Sequence, residues 1–243
     1  MDENRRVATI NGAECKLCEH HLCSFLPDRH KACSHSFRQL LRGDRLSVDD
    51  GSCLRFWVVL SGTAALCTTL ADGRRQIVEL ETPGDFTCGL SAIDGAQGWI
   101  EALCDCMICE VDLSQVAGIL RNDPQFALDM FRRVHNRLEK SAAHIVALGR
   151  LDSMERICFF LSEMARRTGR LNGRQARVNL PMTREDIADY LGLNSETVSR
   201  ILGRIKKAGL TVFISPTDYV VPDLEALERR FPITPTYANK EAV

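Results

Sequence analysis

The chain has 243 residues, of which 45% are hydrophobic and 26% charged, a composition typical of a globular protein with one large domain or two modest ones. No stretch approaches the roughly 18 consecutive apolar residues that a membrane span requires, which excludes an integral membrane protein. Asp2 and Glu3 open the chain and no apolar segment follows them, so we expect a cytoplasmic protein with no membrane partner.

Charge is distributed unevenly along the chain, although the net charge is only −1. Residues 1–151 contain 17 Lys and Arg against 20 Asp and Glu, a net charge of −3, whereas residues 152–210 contain 11 against 7, a net charge of +4. A basic segment that follows an acidic body predicts that this part of the chain contacts a polyanion.

Eleven cysteines are the most unusual feature of the composition. In a reducing compartment thiols serve metal binding or redox chemistry more often than disulfides. Cys15, Cys18 and Cys23 fall in a polar arm, residues 1–35, which has no core for them to fill. A Cys-x2-Cys motif is followed here by two adjacent histidines, so a tetrahedral zinc site is an alternative interpretation of these residues. Free cysteines elsewhere are usually small buried hydrophobes, and we expect this of Cys53, Cys67, Cys88 and Cys158.

Residues 36–121 contain short apolar runs at 56–60, 64–70 and 76–80, each of which ends at a glycine-bearing turn. Runs of this length between turns such as Asp72-Gly73 are typical of a small antiparallel barrel or roll. We therefore expect an antiparallel β-roll in this part of the chain.

Residues 122–150 have the pattern of a long helix that could pair with a second copy. One polar residue interrupts an apolar stripe whose spacings alternate between three and four, formed by Phe131, Val134, Leu138, Ser141, Ile145 and Leu148. A helix packed on its own domain would carry the same stripe, so both interpretations stay open. We expect His135 and His144, on the same helix, to be surface or seam residues rather than ligands.

Residues 183–202 have the spacing of a helix-turn-helix that binds DNA. Thr183 can cap the first helix, Gly192 can adopt the positive φ of the turn, and Asn194 or Ser195 can cap the second helix. The outward positions of the second helix are then Glu196, Ser199, Arg200 and Arg204. Arginine can bind guanine bidentately, and a carboxylate can accept a hydrogen bond from cytosine N4.

The flanking residues extend this unit to 151–224. An amphipathic helix is predicted over 151–167, a loop over 169–174, and a hairpin formed by 210–214 and 219–221 as a wing. Two helices of an ordinary bundle are the alternative. Residues 225–243 are expected to be a C-terminal tail.

These residues resemble the CRP/FNR superfamily of transcription regulators, whose α+β chains combine a β-roll, a long dimerisation helix and a C-terminal winged helix-turn-helix. The run from Glu196 to Arg200 is similar to the recognition helix of the FNR branch. The resemblance implies a homodimer on double-stranded DNA with two-fold symmetric half-sites close to TTGAT. It also implies base contacts from Glu196, Ser199 and Arg200 and phosphate contacts from Thr183, Asn194 and Thr197.

Another branch of this superfamily binds cyclic nucleotides through an arginine that follows a glycine-rich turn. Here residues 84–99 contain no arginine. A cyclic phosphate buried without a cation is disfavoured, so we expect no cyclic nucleotide.

The resemblance further implies an oxygen-labile [4Fe–4S] cluster bound by Cys15, Cys18, Cys23 and Cys109, since thiolates are the usual ligands of such clusters. The gap of four residues between Cys18 and Cys23 is one shorter than in the best-known members. Cys33 is therefore a rival for Cys23 as the third ligand, and Cys104 and Cys106 are rivals for Cys109. On an extended strand, Cys104 and Cys106 share one face and Cys109 lies on the other.

The resulting hypothesis is that cluster binding favours dimerisation, that the dimer binds its palindrome, and that oxygen reverses both steps. Activation would require a contact with RNA polymerase, for which the turn at residues 72–75 is a candidate. The alternatives are a related regulator that is cluster-free or responds to nitric oxide through haem, and a DNA-binding protein with a structural zinc. A thiol-exchange enzyme would need a thioredoxin-like βαβ context, which the sequence lacks, so we expect no enzymatic activity.

Overall fold

The computed structural model describes residues 7–11, 34–47, 55–88, 98–112 and 124–233, and the chain divides into two compact units, Met1–Val134 and His135–Val243. The boundary falls within the long helix predicted over 122–150, which is helix α1, Pro124–Arg150. Among the described residues, no helix combines the length and the apolar composition that crossing a bilayer would require.

The first unit is built from two antiparallel sheets. Its strands are β1 Val7–Asn11, β2 Ser34–Leu40, β3 Arg45–Ser47, β4 Arg55–Ser61, β5 Ala64–Thr69, β6 Arg75–Glu81, β7 Phe86–Cys88, β8 Gly98–Ala102 and β9 Cys106–Asp112. One sheet has the order β1-β2-β9-β4-β7 and the other the order β3-β8-β5-β6. The predicted β-roll is confirmed, because the three apolar runs form β4, β5 and β6.

Both sheets contribute to one apolar core. Its buried members are Leu40, Trp57, Val59, Ala64, Leu66, Ile100, Ala102, Cys106 and Ile108. The β4–β5 turn closes over this core at Gly62, whose φ is 83°. A Cβ at this position would lie 2.5 Å from the carbonyl oxygen of Asp105, so the close approach of the two chains requires glycine.

The second unit surrounds helix α2, Ser153–Thr168, whose residues Ile157, Phe160, Leu161 and Met164 are buried. The other elements are β10 Arg170–Asn172, β11 Gln175–Asn179, α3 Arg184–Leu191, α4 Ser195–Lys207, β12 Val212–Phe213, β13 Asp218–Val221 and α5 Leu224–Glu228. The strands form one antiparallel sheet with the order β10-β11-β13-β12. The hairpin β12–β13 confirms the predicted wing.

Two segments of this unit differ from the sequence-based prediction. The segment 169–174, predicted as a loop, contains strand β10 and the turn of the hairpin β10–β11, whose second strand, β11, also pairs with β13. The predicted tail begins within α5, where Leu227 is buried and the Glu228 carboxylate accepts a hydrogen bond of 2.7 Å from Nη2 of Arg166. The first residues after 224 therefore pack as part of the second unit.

Helix α2 begins with a reciprocal cap, which gives a test of the fold. Oδ1 of Asp152 accepts from the backbone N–H groups of Met154 and Glu155 at 2.7 and 2.9 Å, and Oε2 of Glu155 accepts from the Asp152 N–H at 2.8 Å. We expect Asp152→Ala to lower the free energy of unfolding by about 1 kcal/mol, measured by urea titration with circular dichroism. Asp152→Asn, which retains an acceptor, is the control and should stay close to wild type; an equal loss in both variants would contradict a hydrogen-bonding role.

Candidate nucleic-acid interface

Helices α3 and α4 form a helix-turn-helix whose ends are fixed by local hydrogen bonds. Oγ1 of Thr183 accepts from the Asp186 N–H at 3.0 Å, and the Asp186 carboxylate accepts from the Thr183 N–H at 2.8 Å. Gly192 adopts the left-handed conformation, φ 62° and ψ 40°, at the turn. Asn194 caps α4, since its Oδ1 accepts from the Thr197 N–H at 2.7 Å. Thr183 and Gly192 therefore act as the sequence predicted, and of the two candidates for the cap of α4, Asn194 and Ser195, the N-cap is Asn194.

The faces of the two helices that point inward are apolar. In α3 they are Ile187, Ala188 and Leu191, and in α4 they are Val198, Ile201, Leu202 and Ile205, all buried. Apolar burial on one side of each helix leaves the opposite side free to face a partner.

The opposite side of α4 carries the predicted base contacts. Glu196, Ser199 and Arg200 are exposed, and Arg204 is exposed one turn further along. Oγ of Ser199 donates a hydrogen bond of 2.9 Å to the carbonyl oxygen of Ser195, so this hydroxyl can accept a hydrogen bond from a base without losing its own. The arrangement presents one carboxylate, one hydroxyl and two guanidinium groups on a helix of the size that enters a major groove.

The three residues predicted to contact phosphate differ in what their side chains can offer. Oγ1 of Thr183 donates to the Asp186 carboxylate at 2.8 Å, so its hydroxyl proton is already committed. Oδ1 of Asn194 is used as the cap, which leaves the Nδ2 amide as the donor for a phosphate. Thr197, in the first turn of α4, is half-buried. A helix N-terminus also attracts anions through its free N–H groups.

Arg184 is a basic residue at this surface that the sequence analysis did not single out. Its guanidinium carbon lies 5.4 Å from the ring centroid of Phe213, in wing strand β12. Burial lowers the pKa of Arg184 from its ordinary value. Its position directly after the N-cap, within a basic segment, could have identified Arg184 from the sequence. Its contact with the wing could not be predicted, because Phe213 is distant in the sequence.

The predicted seam of α1 lies largely in solvent within one chain. Phe131 is 70% exposed, Leu138 64% and Ile145 69%, and Val134 is also exposed. Oγ of the half-buried Ser141 donates to the Arg137 carbonyl at 3.1 Å, so this polar residue is satisfied within its own helix. Large apolar side chains aligned on one exposed face mark a protein contact, which favours the two-chain interpretation over a helix packed on its own domain.

Helix α1 also contacts the glycine turn of the first unit. Nη1 of Arg133 donates a hydrogen bond of 3.1 Å to the carbonyl oxygen of Gly84, and burial lowers the pKa of Arg133. Residues 84–99 contain no arginine, and Arg133 could not be identified from this segment of the sequence because it comes from a helix 49 residues later. Residues 89–97 lie outside the described residues, so the expectation of no cyclic nucleotide stays a prediction.

Of the four predicted cluster ligands, the structure describes only Cys109, since Cys15, Cys18, Cys23 and the rival Cys33 lie outside the described residues. Cys109 is buried in β9 and is paired with Phe37 of β2 and Val58 of β4. It lies on the face opposite Cys106 and Ile108, which belong to the core between the sheets. In the described part of the chain, no group of three or more Cys, His, Asp or Glu side chains could hold a metal ion.

The two rival ligands on this segment differ from Cys109 in their surroundings. Burial, followed by the nearby Cys104 and Asp105, raises the pKa of the Cys106 thiol to about 12, which opposes the thiolate form that iron requires. The half-buried Cys104 accepts from the Thr63 N–H at 3.2 Å. Cys109 is buried as deeply as Cys106, and its thiol makes a weak contact of 3.9 Å to the Glu110 carbonyl. What distinguishes it from Cys106 is its place on the other face of β9, outside the core between the sheets.

The remaining cysteines are in part accounted for. Cys67 and Cys158 are fully buried, as expected of small hydrophobes, and burial raises the pKa of Cys158 to about 11. Cys53 lies outside the described residues, and Cys88 is known only as a member of β7. Of the two histidines of α1, His135 is a surface residue as expected, with 60% of its side chain exposed. The expectation for His144 is wrong, because this residue is buried against Tyr190 of α3.

Comparison with known proteins agrees with this architecture. Residues 37–123 match the cyclic nucleotide-binding domain family and residues 155–230 the Crp-like helix-turn-helix domain family. The nitrogen fixation regulation protein FixK of Azorhizobium caulinodans is 33% identical over 189 residues, covering 77% of this chain and 76% of that protein. The anaerobic regulatory protein of Pasteurella multocida is 31% identical over 156 residues, covering 63% of this chain and 57% of that protein.

A solved structure shows the same fold. FixK2 from Bradyrhizobium japonicum is 28% identical, superposes with a TM-score of 0.71, and covers 82% of this chain and 98% of that one. The helix-turn-helix family and the relatives that match this chain are transcription regulators rather than enzymes. The chain therefore belongs to the CRP/FNR family of DNA-binding transcription regulators.

Proposed function

We propose that this regulator controls genes expressed at low oxygen, and that a [4Fe–4S] cluster held by Cys15, Cys18, Cys23 and Cys109 makes it a DNA-binding homodimer. The observation that carries the proposal is the outward face of α4, where Glu196, Ser199 and Arg200 are exposed in the FNR-type order. The similarity to an anaerobic regulatory protein supports the physiological signal.

On DNA, the three side chains would divide the recognition of a TTGAT half-site. Arg200 can bind the O6 and N7 atoms of a guanine bidentately, and Glu196 can accept from the N4 amino group of a cytosine. Because a carboxylate is repelled by phosphates, Glu196 contributes specificity rather than affinity. Asn194 Nδ2 and Thr197 would position the helix on the phosphates, with Thr183 at the start of α3.

The cluster, when bound, would be the oxygen-sensitive group of the protein, because oxygen would destroy it. Four thiolates from the polar arm and from Cys109 would hold it, which would tie the arm to β9. From Cys109 a short path of described contacts leads to α1. Cys109 pairs with Val58, the carbonyl of the next residue, Val59, accepts from the Gly84 N–H at 2.9 Å, and the Gly84 carbonyl accepts from Arg133. A change at Cys109 can therefore alter how α1 is held.

Helix α1 would pair with its counterpart through the exposed apolar face. Burying each large apolar side chain contributes about 1.5–3 kcal/mol, whereas Ser141 contributes nothing to the seam. A seam of this length with one polar position is weak enough for a ligand to control, since a ligand can shift an equilibrium only by its differential affinity for the two states.

RNA polymerase is the further partner that we propose, with the turn at residues 72–75 as its contact. Asp72, Gly73 and Arg74 of this turn are exposed, and the Nε atom of Arg74 lies 2.7 Å from the Asp72 carboxylate. Arg75 is half-buried, and its Nη1 lies 2.8 Å from the Glu101 carboxylate. The backbone N–H of Arg74, followed by its guanidinium, lowers the pKa of Asp72. The turn is therefore fixed and charged at neutral pH.

The cluster can be tested by anaerobic purification followed by absorption spectroscopy and analysis of iron and sulfide. We expect a brown protein that bleaches in air and loses both dimerisation and DNA binding. Cys109→Ser should be colourless, whereas Cys104→Ser, the matched control on the same segment, should keep its colour. The opposite result for the two variants would make Cys104 the ligand. A colourless wild-type protein with one zinc, or a haem spectrum, would contradict the cluster proposal and leave DNA binding intact.

The seam can be tested by charge insertion. Ile145→Glu places a carboxylate in the apolar face of both copies, so we expect the dissociation constant of the anaerobic dimer to rise at least about 100-fold, the equivalent of two lost isoleucine side chains. Sedimentation equilibrium measures the constant. Val146→Glu, one residue further and outside the stripe but also exposed, is the control. An equal effect of both substitutions would place the dimer contact elsewhere.

Base recognition can be tested with Arg200→Ala and duplexes in which each base pair of the half-site is changed in turn. We expect the variant to lose about 1–3 kcal/mol of binding free energy and to stop discriminating at a single position. Fluorescence anisotropy at fixed salt measures both effects. Lys206→Ala, at the far end of α4, should keep the full discrimination. A uniform loss for Arg200→Ala across all duplexes would mean that this side chain contacts only phosphate.

A further inference from the structure

We infer that His144 is a positioning residue for DNA binding: it fixes the helix-turn-helix to the end of the dimerisation helix and so sets the distance between the two half-sites that a dimer can read. The inference rests on the proposed pairing of α1 with a second copy. It depends on contacts within the second unit only.

His144 contacts α3 in two ways. Its Nε2 lies 3.0 Å from the carbonyl oxygen of Tyr190, and its ring stacks on the Tyr190 ring with 4.1 Å between centroids and 21° between planes. Because a carbonyl can only accept, Nε2 carries the proton and is the donor. His144 is 8% exposed, so this bond is shielded from water.

The bonded carbonyl belongs to Tyr190, in the last turn of α3. At the tight turn that follows, the N–H groups of Gly192 and Leu193 both donate to the carbonyl oxygen of Ala188. Nη1 of Arg156, from α2, donates to the Leu191 carbonyl at 3.1 Å. Two side chains from outside the helix-turn-helix, His144 and Arg156, therefore close the end of α3 at the tight turn.

The same two turns of α1 carry the last seam positions. Ile145, the next residue after His144, is exposed on the seam. Leu148 is half-buried, and its Cδ2 lies 3.9 Å from the position that a Cβ at Gly192 would occupy. The residues that would touch the second copy and those that hold the turn are thus neighbours on one rigid helix. Pairing of α1 then determines where each recognition helix stands relative to the dimer axis.

The attachment of the helix-turn-helix to α1 through His144 has a measurable consequence for the half-site spacing that a dimer prefers. Dimeric helix-turn-helix proteins read half-sites about one DNA turn apart, roughly 34 Å. When this attachment is rigid, insertion of one base pair between the half-sites places the second half-site at the wrong distance and the wrong rotation for its recognition helix. When this attachment is loosened, each helix-turn-helix can reorient. Affinity for DNA then depends less on the spacing between half-sites, while recognition within one half-site is unchanged.

The experiment compares His144→Phe with wild type under anaerobic conditions. Phenylalanine retains the stack on Tyr190 and removes the donor to its carbonyl. Duplexes carry a single TTGAT half-site, or two half-sites at the preferred spacing, or two half-sites with one base pair inserted or deleted. We expect the variant to lose about tenfold in affinity for the preferred palindrome, the size of one lost buried hydrogen bond, and to lose much less on insertion or deletion than wild type does. Affinity for the single half-site and the dimer dissociation constant should stay unchanged.

His135→Phe, on the exposed side of the same helix, is the matched control and should behave as wild type. A variant whose single-site and palindrome affinities fall by the same factor, or whose spacing dependence equals that of wild type, overturns the positioning role while leaving the proposed function in place. A wild-type dimer that binds palindromes of every spacing equally well overturns both.

Discussion

The structure depends on one exposed apolar face, the stripe on α1 that contains Phe131, Leu138 and Ile145. Water opposes the exposure of such side chains in proportion to their area, so the face is stable only when another surface covers it. A family of dimeric regulators supplies the natural cover, a second copy of the same helix. Arg133 of α1 contacts the β-roll and His144 of α1 contacts the helix-turn-helix, so the pairing that we propose for α1 is an event that both contacts can influence.

The contact of α1 with the roll and its contact with the helix-turn-helix have the same chemical form. In each case a side chain of α1 donates to a backbone carbonyl at a turn or helix end, Arg133 to Gly84 and His144 to Tyr190. A backbone carbonyl moves only when the main chain moves. A displacement of the main chain at either carbonyl therefore changes the hydrogen bond to α1. A bond to a flexible side chain would absorb such a displacement instead.

Local chemistry made most of the DNA-binding surface predictable. The caps Thr183 and Asn194 and the left-handed Gly192 act on their immediate neighbours, so their residue types alone identify the ends of α3 and α4. Strands β4, β5 and β6 of the roll were predictable because each of these apolar runs is bounded by its own turn. Strand β1 was not, because it lies in the segment 1–35 predicted as a separate arm, whereas it pairs with β2 of the roll. The hairpin β10–β11 was not, because most of its exposed residues are polar, with Leu171 as the exception, and because β11 pairs with a strand far along the chain, Ala176 with Val221 for example. For the metal ligands the sequence alone carries the prediction, with Cys109 as its described member.

His144 illustrates why the remaining contacts could not be predicted. On a helical wheel it lies beside the apolar stripe, which is the position of a surface or seam histidine, and nothing in its neighbours indicates a partner 46 residues later. The partner is a carbonyl, which every residue possesses, so no residue type at position 190 identifies it. Such bonds between a side chain and a distant backbone group follow from the assembled fold. They are also where a regulator can be adjusted without altering the residues that read DNA, because the protein's specificity and its geometry then reside in different side chains.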